Sequence, residues 1–571
     1  MNSFLLIYSQ LDSSKGDFDT SPFSFQRGDL FYQGSVRLDN LDELQKEFPL
    51  ESFPSQEALI LALFEKYQEK AFEKLLGDFA FVIWDSKNQS LWCVKDPMGI
   101  RPLFYYQNED TLILASSISA IRDQVGLSHL TINQHYLATE LKNYLIEVGE
   151  TFFNEIHRLQ PAHFGFFKMG EGHLTEHRYW EFQHIDTSAF KTEKEVFEEL
   201  RRLFHQAVES RLRGVKIAGT QLSGGMDSSA ITVLASRIMP KKDLHTFSFV
   251  LNEKTRAYSE RGIDEQATQN SIIEYAQLHR ENHHLADGFY YKDTFECYDK
   301  SNEIMGGFAD SDSIWQDSMY KQAAEYGVEV MFSGFPGDEG ISHPGGQYFF
   351  EYFYQMDLKW MLKQSLQHPY LFAKQVYRYL RARWTKTVLK GYDEVQKRRN
   401  LLHPDSPYHA QLKDESFSFF PSFRQELIRK VFRPHSCLRT ESEGLYANQY
   451  GISTVYPMAD LRFLQFALSL PIEYFQPKEF SRSLFRKICI GILPDDVRLQ
   501  NKHNGALTLA FAEYWMKQQL KDFENRPISN AFGLFNMQKT FDEGELDQAS
   551  RKVLLNKMDY LIDKNLPGHD K

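Results

Sequence analysis

The sequence predicts two domains of different class, an α+β sandwich with antiparallel sheets followed by an α/β domain with a parallel sheet. Short strand-like runs dominate the first third of the chain, and one clear helix interrupts them. From residue 214 to residue 332 strands and helices alternate, which is typical of a parallel sheet with helices on both faces. Since 571 residues are too many for one hydrophobic core, we assign residues 1–184 to the first domain and residues 185–571 to the second.

The predicted strands of the first domain are short apolar runs bounded by turn-forming residues. They are Phe4–Tyr8, Leu30–Val36, Phe79–Trp84, Leu91–Val94, Pro102–Tyr106 and Leu112–Ala115, and the predicted helix is Gln56–Tyr67. In the second domain, apolar residues at helical spacing predict an amphipathic helix over 193–211. The alternating elements after it are strands 214–221, 244–250, 283–285 and 328–332 and helices 230–238, 265–279 and 313–326.

The composition is that of an ordinary soluble globular protein, with 42% hydrophobic and 25% charged residues. A net charge of −12 gives no electrostatic reason to expect a nucleic-acid partner. The four cysteines form no CxxC pair, so we expect reduced thiols and a cytoplasmic protein. The N-terminus lacks the features of a signal peptide and no apolar run is long enough for a membrane span, so no membrane association is expected.

A Gly-Gly turn between a predicted strand and a predicted helix is the first candidate site. It reads Leu222-Ser223-Gly224-Gly225-Met226-Asp227-Ser228-Ser229. The glycines let the backbone approach an anion, and a helix N-terminus presents N–H groups and the positive end of its dipole. The serines add hydroxyl donors, and Asp227 is placed to hold a divalent cation against phosphate oxygens. An ordinary turn at a helix start is the alternative, but this composition favours an ATP pyrophosphate site.

Ser-Gly-Gly-Met-Asp-Ser resembles the pyrophosphate loop of the asparagine synthetase family, whose members cleave ATP to AMP and pyrophosphate to activate a carboxylate. The stretch Ser333-Gly334-Phe335-Pro336-Gly337-Asp338-Glu339 is similar to the SGxGxDE loop of that family. The resemblance implies ATP and Mg²⁺ as cofactors, with Asp227 and Asp338 as the metal ligands. It also implies an adenosine pocket lined by Leu222, Phe249, Ser333 and Gly334.

Two further runs, Gly77–Asp85 and Asp96–Tyr105, resemble the GDFAFxxWD and RDxxGxRPLYY signatures of class II glutamine amidotransferase domains. The resemblance implies an N-terminal-nucleophile fold for the first domain. Working members begin with a cysteine, whose thiol attacks glutamine while its free α-amine serves as the base. Here Met1 precedes Asn2, and the first cysteine is Cys93. We therefore predict that glutaminase activity is lost and that the domain is a retained scaffold.

Near the C-terminus, the residues from Ser481 to Lys502 resemble the family stretch KxxLR…LPxxVxxRxK. The final lysine of that stretch neutralises charge during adenylate formation and acyl transfer, so Lys502 is the predicted catalytic lysine. A solvated surface lysine is the alternative. Arg482 stands where the family has its earlier lysine, and this replacement keeps the charge but changes the geometry.

Other departures from the family pattern concern the substrate. Phe335 replaces the glutamate of asparagine synthetases and the tyrosine of β-lactam synthetases, and it can transfer no proton. Ser453 and Val455 replace the charged residues of the asparagine synthetase motif GxExRxP, so a pocket for free aspartate is not expected. The base then comes from the substrate or from one of four acidic residues, which are Glu441, Glu443, Asp310 and Asp312.

Residues 356–399 contain eleven basic and three acidic residues with aromatic residues between them. This pattern fits amphipathic helices with solvated basic faces, or a surface that binds a peptide substrate.

With glutaminase chemistry lost, we expect the attacking amine to belong to the substrate. The predicted reaction resembles that of lasso-peptide cyclases, which form a macrolactam on a precursor peptide. A precursor peptide and a leader-processing protease are then the expected partners. The alternatives are a β-lactam or carbapenam synthetase acting on a small carboxylate and amine, an asparagine synthetase, and a silent scaffold that captures ATP or a peptide.

Overall fold

The computed structural model describes most of the chain. The described residues are 4–9, 23–142, 148–170, 172–250, 265–286, 291–307, 316–385, 403, 405–408, 420–477, 479–500, 506–524, 526–530, 532, 534 and 545–566. Among the helices in these ranges, none combines the length and the apolar character that a bilayer span requires.

Among the described residues of the first domain, ten strands form two antiparallel sheets. The strands are β1 Leu5–Ser9, β2 Phe25–Arg27, β3 Leu30–Leu38, β4 Gly77–Asp85, β5 Ser90–Lys95, β6 Phe104–Gln107, β7 Thr111–Ala115, β8 Ile156–Arg158, β9 His163–Lys168 and β10 Thr175–Arg178. One sheet has the order β1-β7-β6-β8 and the other the order β10-β9-β5-β4-β3-β2. The helices are α1 Leu41–Gln45, α2 Gln56–Tyr67, α3 Ile118–Val125 and α4 Gln134–Lys142.

The two sheets pack face to face, with helices on both outer sides. Buried residues of both sheets, including Leu6, Leu114, Val82 and Trp84, form one cluster between them. Helix α2 covers the outer face of the six-stranded sheet, and helices α3 and α4 cover the four-stranded sheet. Apolar side chains that alternate along each strand can bury one face against the partner sheet and the other against a helix. The predicted α+β sandwich is confirmed, with the layers of an N-terminal-nucleophile domain.

In the described part of the second domain, five parallel strands form one sheet. They are β11 Ala218–Gln221, β12 Leu244–Phe249, β13 His283–Ala286, β14 Val330–Phe332 and β15 Ser453–Val455, in the order β13-β12-β11-β14-β15. Four of these strands match the prediction, which confirms the α/β class. Strand β15 was not predicted, because three residues between helical segments give no periodic signal.

Fifteen described helices belong to the second domain. They are α5 Glu193–Leu212, α6 Met226–Ile238, α7 Gln266–Tyr275, α8 Thr294–Met305, α9 Gln316–Glu325, α10 Phe349–Tyr354, α11 Leu358–Gln367, α12 Pro369–Thr385, α13 Phe423–Val431, α14 Pro434–Asn448, α15 Leu461–Ser469, α16 Ser483–Ile488, α17 Asp495–Arg498, α18 Ala506–Asp522 and α19 Glu545–Asn565.

The two domains share hydrophobic clusters. Met98 and Ile100 of the first domain lie in the main core of the second. In the opposite direction, Leu555 and Met558 of the last helix, α19, pack into the core around α3 and α4. Helix α19 falls within the predicted second domain but covers the first. We infer that the two domains support each other by burying apolar surface on both sides of the boundary.

Buried ion pairs also cross the domain boundary. Arg211 of helix α5 contacts Asp39 at 3.3 Å and Asp460 at 3.0 Å. Burial alone would raise the pKa of Asp39, but the charges of Arg211 and Arg37 hold that pKa well below its usual value. The carboxylate is therefore ionised at neutral pH and joins the start of the first domain to the helix before the candidate site.

Candidate functional site

The first candidate loop lies between the end of β11 and the start of α6, beyond the carboxyl end of the central strand. Gly224 has a φ of +79°, a left-handed conformation that favours glycine. Gly225 is the N-cap, and the N–H of Ser229 donates to the Gly225 carbonyl as the first bond of the helix. The N–H groups of Met226, Asp227 and Ser228 therefore precede the helical ladder, where they are suited to an anion.

Hydroxyl groups stiffen this loop from within. Ser223 Oγ and Ser228 Oγ are 2.9 Å apart, and the Gly225 N–H donates to Ser223 Oγ at 3.2 Å. Ser228 Oγ also donates to the Gly225 carbonyl at 3.2 Å. Ser229, in contrast, is fully buried beneath the loop. Ser223 and Ser228 thus lie on a preformed turn, and the phosphate contacts of Ser223, Ser228 and Ser229 stay predictions.

The second candidate loop follows β14 and rests directly on the first. A Cβ atom at Gly334 would lie 3.0 Å from the backbone nitrogen of Ser228. A Cβ atom at Gly337 would lie 2.7 Å from the carboxylate carbon of Asp227. Both glycines therefore permit the close approach, because a Cβ atom at either position would force the neighbouring atoms of the first loop to shift. Residues more than 100 positions apart in sequence meet here because β11 and β14 are neighbours in the sheet.

The two predicted metal ligands share one cationic partner. Arg482 Nη1 donates to Asp227 Oδ2 at 3.4 Å, and Arg482 Nη2 forms an ion pair with Asp338 Oδ1. The side chain of Arg482 is only 5% exposed, that of Asp227 is 13% exposed and that of Asp338 is 39% exposed. Both carboxylates thus contact the guanidinium of Arg482, which lies between the two loops.

These carboxylates fit a divalent cation that also takes phosphate oxygens. Their oxygens converge on one guanidinium, and carboxylate oxygen is the ligand that Mg²⁺ prefers. Within the described ranges, no group of three or more His, Cys, Asp or Glu residues is placed to hold a metal. A cation bound at Asp227 and Asp338 would therefore complete its shell with water and substrate oxygens.

The predicted adenosine wall lies at the ends of β11 and β12. The Leu222 N–H donates to the Phe247 carbonyl at 2.8 Å, and Ser248 Oγ donates to the Leu222 carbonyl at 2.6 Å. Phe249 is half-buried at the end of β12. Ser333 and Gly334 follow the neighbouring strand β14. These four residues therefore lie at the carboxyl ends of three neighbouring strands, β11, β12 and β14. Their contact with adenosine stays a prediction.

Lys502 lies outside the described residues. Hydrogen bonds hold the chain up to Gln500 against helix α16. Arg486 of helix α16 donates to the Ser481 carbonyl at 2.7 Å and to the Gln500 carbonyl at 2.8 Å. Gln500 is also within 3.3 Å of Thr268 at the start of α7. These bonds tie residue 500 to the turn that carries Arg482. The catalytic role of Lys502 stays a prediction.

Phe335 lies in a buried polar cluster beyond the ends of β14 and β15. The guanidinium of Arg439 is 4.4 Å from the centre of the Phe335 ring. Glu443 fixes Arg439 by accepting from its Nε at 2.9 Å, and also accepts from the Tyr456 hydroxyl at 2.9 Å. Arg439 was not among the predicted site residues. The only local signal for it is the i, i+4 spacing with Glu443, which is common on ordinary helices.

Of the four acidic residues considered as a base, Asp310 and Asp312 lie outside the described residues. Glu441 is 1% exposed and forms ion pairs with Lys95 at 3.3 Å and with Arg158 at 2.9 Å. Both of its partners belong to the first domain, so Glu441 is a charge buried in the domain interface. Its role as a base stays a prediction. Glu443 is equally buried and serves to hold Arg439.

In the first domain, the motif residue Asp96 stabilises backbone. Asp96 accepts from the N–H groups of Met98, Ile100 and Arg101, each at 3.0 Å. Burial and the nearby charge of Asp78 raise the pKa of Asp96 to about 6. Cys93 is buried between the sheets, and burial raises the pKa of its thiol. A buried thiol of this kind is inert, so Cys93 does not replace a terminal nucleophile.

Two family models match the chain. The model described as asparagine synthase matches residues 199–559, and the model described as glutamine amidotransferase domain matches residues 23–180. The solved structures to which the chain is similar include a glutamine phosphoribosylpyrophosphate amidotransferase from B. subtilis, with 12% identity, a TM-score of 0.21 and coverage of 48% of this chain and 66% of that chain. At this TM-score the overlap carries no structural argument.

The curated relatives to which the chain is similar include two asparagine synthetases and an amidase. Asparagine synthetase [glutamine-hydrolyzing] 3 of Bacillus subtilis is 24% identical over 527 residues, which are 86% of this chain and 78% of that protein. Putative asparagine synthetase [glutamine-hydrolyzing] 2 of Methanocaldococcus jannaschii is 25% identical, over 54% of this chain and 58% of its own length. Amidase chry2 of Gibberella zeae is 28% identical over 32% of this chain and 26% of its own length. Because the asparagine synthase model covers well over half of the sequence, the chain belongs to the asparagine synthase family of ATP-dependent ligases.

Proposed function

We propose that the protein activates a substrate carboxylate as an acyl-adenylate and joins the acyl group to an amine. The observation that carries this proposal is the contact of the two loops. Gly334 and Gly337 let the second loop lie against the first, and Asp227 and Asp338 both contact the guanidinium of Arg482 beside the N-terminus of α6. This arrangement supports binding of a triphosphate, with the loop N–H groups on its negative oxygens.

The proposed reaction has two steps. A carboxylate oxygen attacks the α-phosphorus of ATP, and the bond from that phosphorus to the bridging oxygen breaks to release pyrophosphate. The substrate amine then attacks the acyl carbon, AMP leaves with the former carboxylate oxygen, and the amine loses a proton. The N-terminus of α6 stabilises the leaving pyrophosphate, and Lys502 balances charge at the adenylate. Magnesium held by Asp227 and Asp338 would supply further neutralisation of the phosphates.

For the substrate, we propose a peptide that docks on helices α11 and α12, which we name the basic helix pair. The two helices contain six basic residues and no acidic residue, in a chain whose net charge is −12. Large apolar side chains also face outward, with Leu366 74% and Trp384 87% exposed. The exposed positions Leu358, Leu362 and Leu366 repeat every four residues and so form one stripe on α11. Such a surface suits an acidic peptide with apolar side chains.

The basic helix pair is anchored close to the loop that carries Asp338. Trp360 of α11 stacks on Tyr352 of α10, with ring centres 4.3 Å apart. Nine residues separate that loop from helix α10, and the Pro344 carbonyl in this connection accepts from the N–H of Arg482 at 3.4 Å. A peptide on the helix pair could therefore extend toward the adenylation site. This supports macrolactam formation on a precursor peptide, as in lasso-peptide cyclases, with a leader-processing protease as a further partner.

Asparagine synthesis is the second candidate, and the names of the curated relatives favour it. A small pocket of the β-lactam or carbapenam synthetase type and a silent scaffold remain as alternatives. The uncharged residues Phe335, Ser453 and Val455 argue against recognition of free aspartate. Gene neighbourhood offers a quick discriminator, since a short precursor gene and a cysteine-protease-like gene beside this one would favour the peptide.

ATP–pyrophosphate exchange tests the proposed function. We expect labelled pyrophosphate to enter ATP when the enzyme is given Mg²⁺ and a peptide with an Asp or Glu side chain, encoded beside the gene. Free aspartate should give no stimulation, because Ser453 and Val455 stand where asparagine synthetases have the charged residues of the GxExRxP motif. If aspartate alone stimulated exchange, the result would contradict a peptide substrate and favour asparagine synthesis. If no carboxylate stimulated exchange, the remaining alternative would be a catalytically silent scaffold.

In the same assay, charge reversal separates docking from chemistry. Lys363→Glu with Lys374→Glu changes two exposed residues of the basic helix pair. We expect the peptide KM to rise at least about tenfold, since each reversed contact costs about 1 kcal/mol at a surface, with kcat retained. The matched control is Lys87→Glu with Lys242→Glu, which makes the same charge change at exposed sites elsewhere. An equal rise in KM for both pairs would contradict a docking surface at α11 and α12.

A further inference from the structure

Arg482 lies between the two candidate metal ligands, Asp227 and Asp338. Its guanidinium spans Asp227 and Asp338, which belong to different loops, and the side chain is almost fully buried. A lysine ammonium is a compact charge, whereas the planar guanidinium directs separate N–H groups at two acceptors. The arginine therefore contacts both carboxylates at once, which one lysine at this position is less suited to do.

The backbone of Arg482 is held in an unusual conformation. Its φ is +62° and its ψ is 33°, in the left-handed region that residues with a Cβ seldom adopt. The residue caps helix α16, its carbonyl accepts from the Arg486 N–H at 3.0 Å, and its N–H donates to the Pro344 carbonyl. The contacts on both sides fix this conformation and aim the side chain at the loops. Arg482 is thus built into the site and is not a surface residue that happens to reach it.

A guanidinium and a divalent cation compete for the same carboxylate oxygens. While Arg482 lies between Asp227 and Asp338, its positive charge offsets part of their negative charge, and its two Nη atoms face Asp227 Oδ2 and Asp338 Oδ1, which are oxygens that would bind a metal. A metal ion can enter only if the guanidinium moves away or gives up one carboxylate. A nucleotide brings phosphate oxygens that can accept from the displaced N–H groups, which lowers the cost of this movement.

We infer that Arg482 is a resident counter-cation for Asp227 and Asp338, so that the site takes up a divalent metal with the nucleotide and not before it. This inference rests on the proposed nucleotide site. It assigns Arg482 the role of a positioning residue, which keeps the two loops together and the acidic pair closed to free metal. The replacement of the family's lysine by arginine then has a specific consequence, the suppression of metal binding in the absence of ATP.

Binding of Mn²⁺ in the absence of nucleotide, followed by the loss of the free-ion electron paramagnetic resonance signal, tests the inference. We expect the wild-type protein to bind Mn²⁺ weakly and Arg482→Gln to bind it at least about tenfold more tightly, because a competing positive charge is removed beside two carboxylates. In the double variant Arg482→Gln with Asp338→Asn the gain should disappear. Equal Mn²⁺ affinity in wild type and folded Arg482→Gln would overturn the inference.

A second variant covers the case in which Arg482→Gln does not fold. Arg482→Lys keeps the charge but weakens the double contact, so its Mn²⁺ affinity should rise by a smaller factor of about three. No rise in Arg482→Lys would count against the inference as well. The measurement uses no ATP and no carboxylate substrate. Absence of ATP–pyrophosphate exchange would therefore contradict the proposed function without altering the Mn²⁺ result. A failure of the proposed function is thus distinguishable from a failure of the inference about Arg482.

Discussion

Replacement of Asp227 by asparagine is expected to reduce ATP–pyrophosphate exchange by about 10²–10³-fold. The change removes one of the two carboxylates that converge on the cation position, and loss of one preorganised electrostatic group commonly costs 10²–10³-fold. Asp227 lies in the first turn of α6, directly under the close approach of Gly337. Asparagine has nearly the same shape, so we expect the loops to stay in contact and the melting temperature to change little.

The control for this prediction is Asp123→Asn, which removes an exposed carboxylate paired with Arg122 in the first domain. It should leave exchange unchanged. Asp338→Asn should resemble Asp227→Asn, since the two residues are assigned the same role. Retention of full exchange in either variant would show that the two carboxylates do not serve adenylation, even if the loops bind nucleotide.

The largest expected effect on stability is that of Glu441→Ala, which should lower the free energy of unfolding by about 3–5 kcal/mol. Glu441 is the common partner of Lys95 and Arg158, and all three side chains are buried at the domain interface. Removal of the carboxylate leaves two buried positive charges without it, and the cost of such charges exceeds that of a lost surface pair. Urea unfolding followed by circular dichroism measures the change.

The matched control is Glu198→Ala on α5, whose exposed side chain pairs with Lys194 at 3.7 Å. Its effect should stay within about 0.5 kcal/mol. If Glu441→Ala instead kept wild-type stability and lost turnover, the residue would be a base in the reaction and not an interface charge. The outcome thus separates a structural role of Glu441 from the catalytic role that its sequence position left open.

The interface also bears on the role of the first domain. Its core receives helix α19, while Met98 and Ile100 enter the core of the second domain. Asp39 and Arg211 add a buried ion pair across the same boundary. These contacts support the prediction that the first domain acts as a scaffold. The loss of glutaminase activity stays a prediction, since it rests on Met1 and Asn2, which lie outside the described residues.

Local patterns in the sequence were sufficient for the elements that build the site. Alternation of strands and helices predicted β11, β12, β13 and β14, and the loops after β11 and β14 carry short motifs. The predicted start of α6 at residue 230 was four residues late, because Gly225 caps a helix whose first turn contains the polar residues Asp227, Ser228 and Ser229. Such residues are frequent in turns, so the pattern alone does not place them in a helix.

Contacts between distant segments could not be predicted in this way. Arg482 meets Asp227 across 255 positions, and Arg158 meets Glu441 across 283. Neither pair lies within one helix or one hairpin, so no spacing rule connects its members. Helix α19 has an apolar face like that of many helices, and nothing local indicates that the face lies on the first domain. The departures from the family pattern, Phe335 and Arg482, showed where the chain differs but not what surrounds these residues.

The most direct test of the account is a crystal structure with Mg²⁺ and α,β-methylene ATP, an analogue whose α–β bridge cannot be cleaved. We expect the triphosphate to lie over residues 223–229 at the N-terminus of α6, with the metal between Asp227 and Asp338 and the guanidinium of Arg482 turned from at least one carboxylate to phosphate oxygens. A triphosphate bound anywhere else, or one bound at the loop with neither aspartate near the metal, would contradict the account.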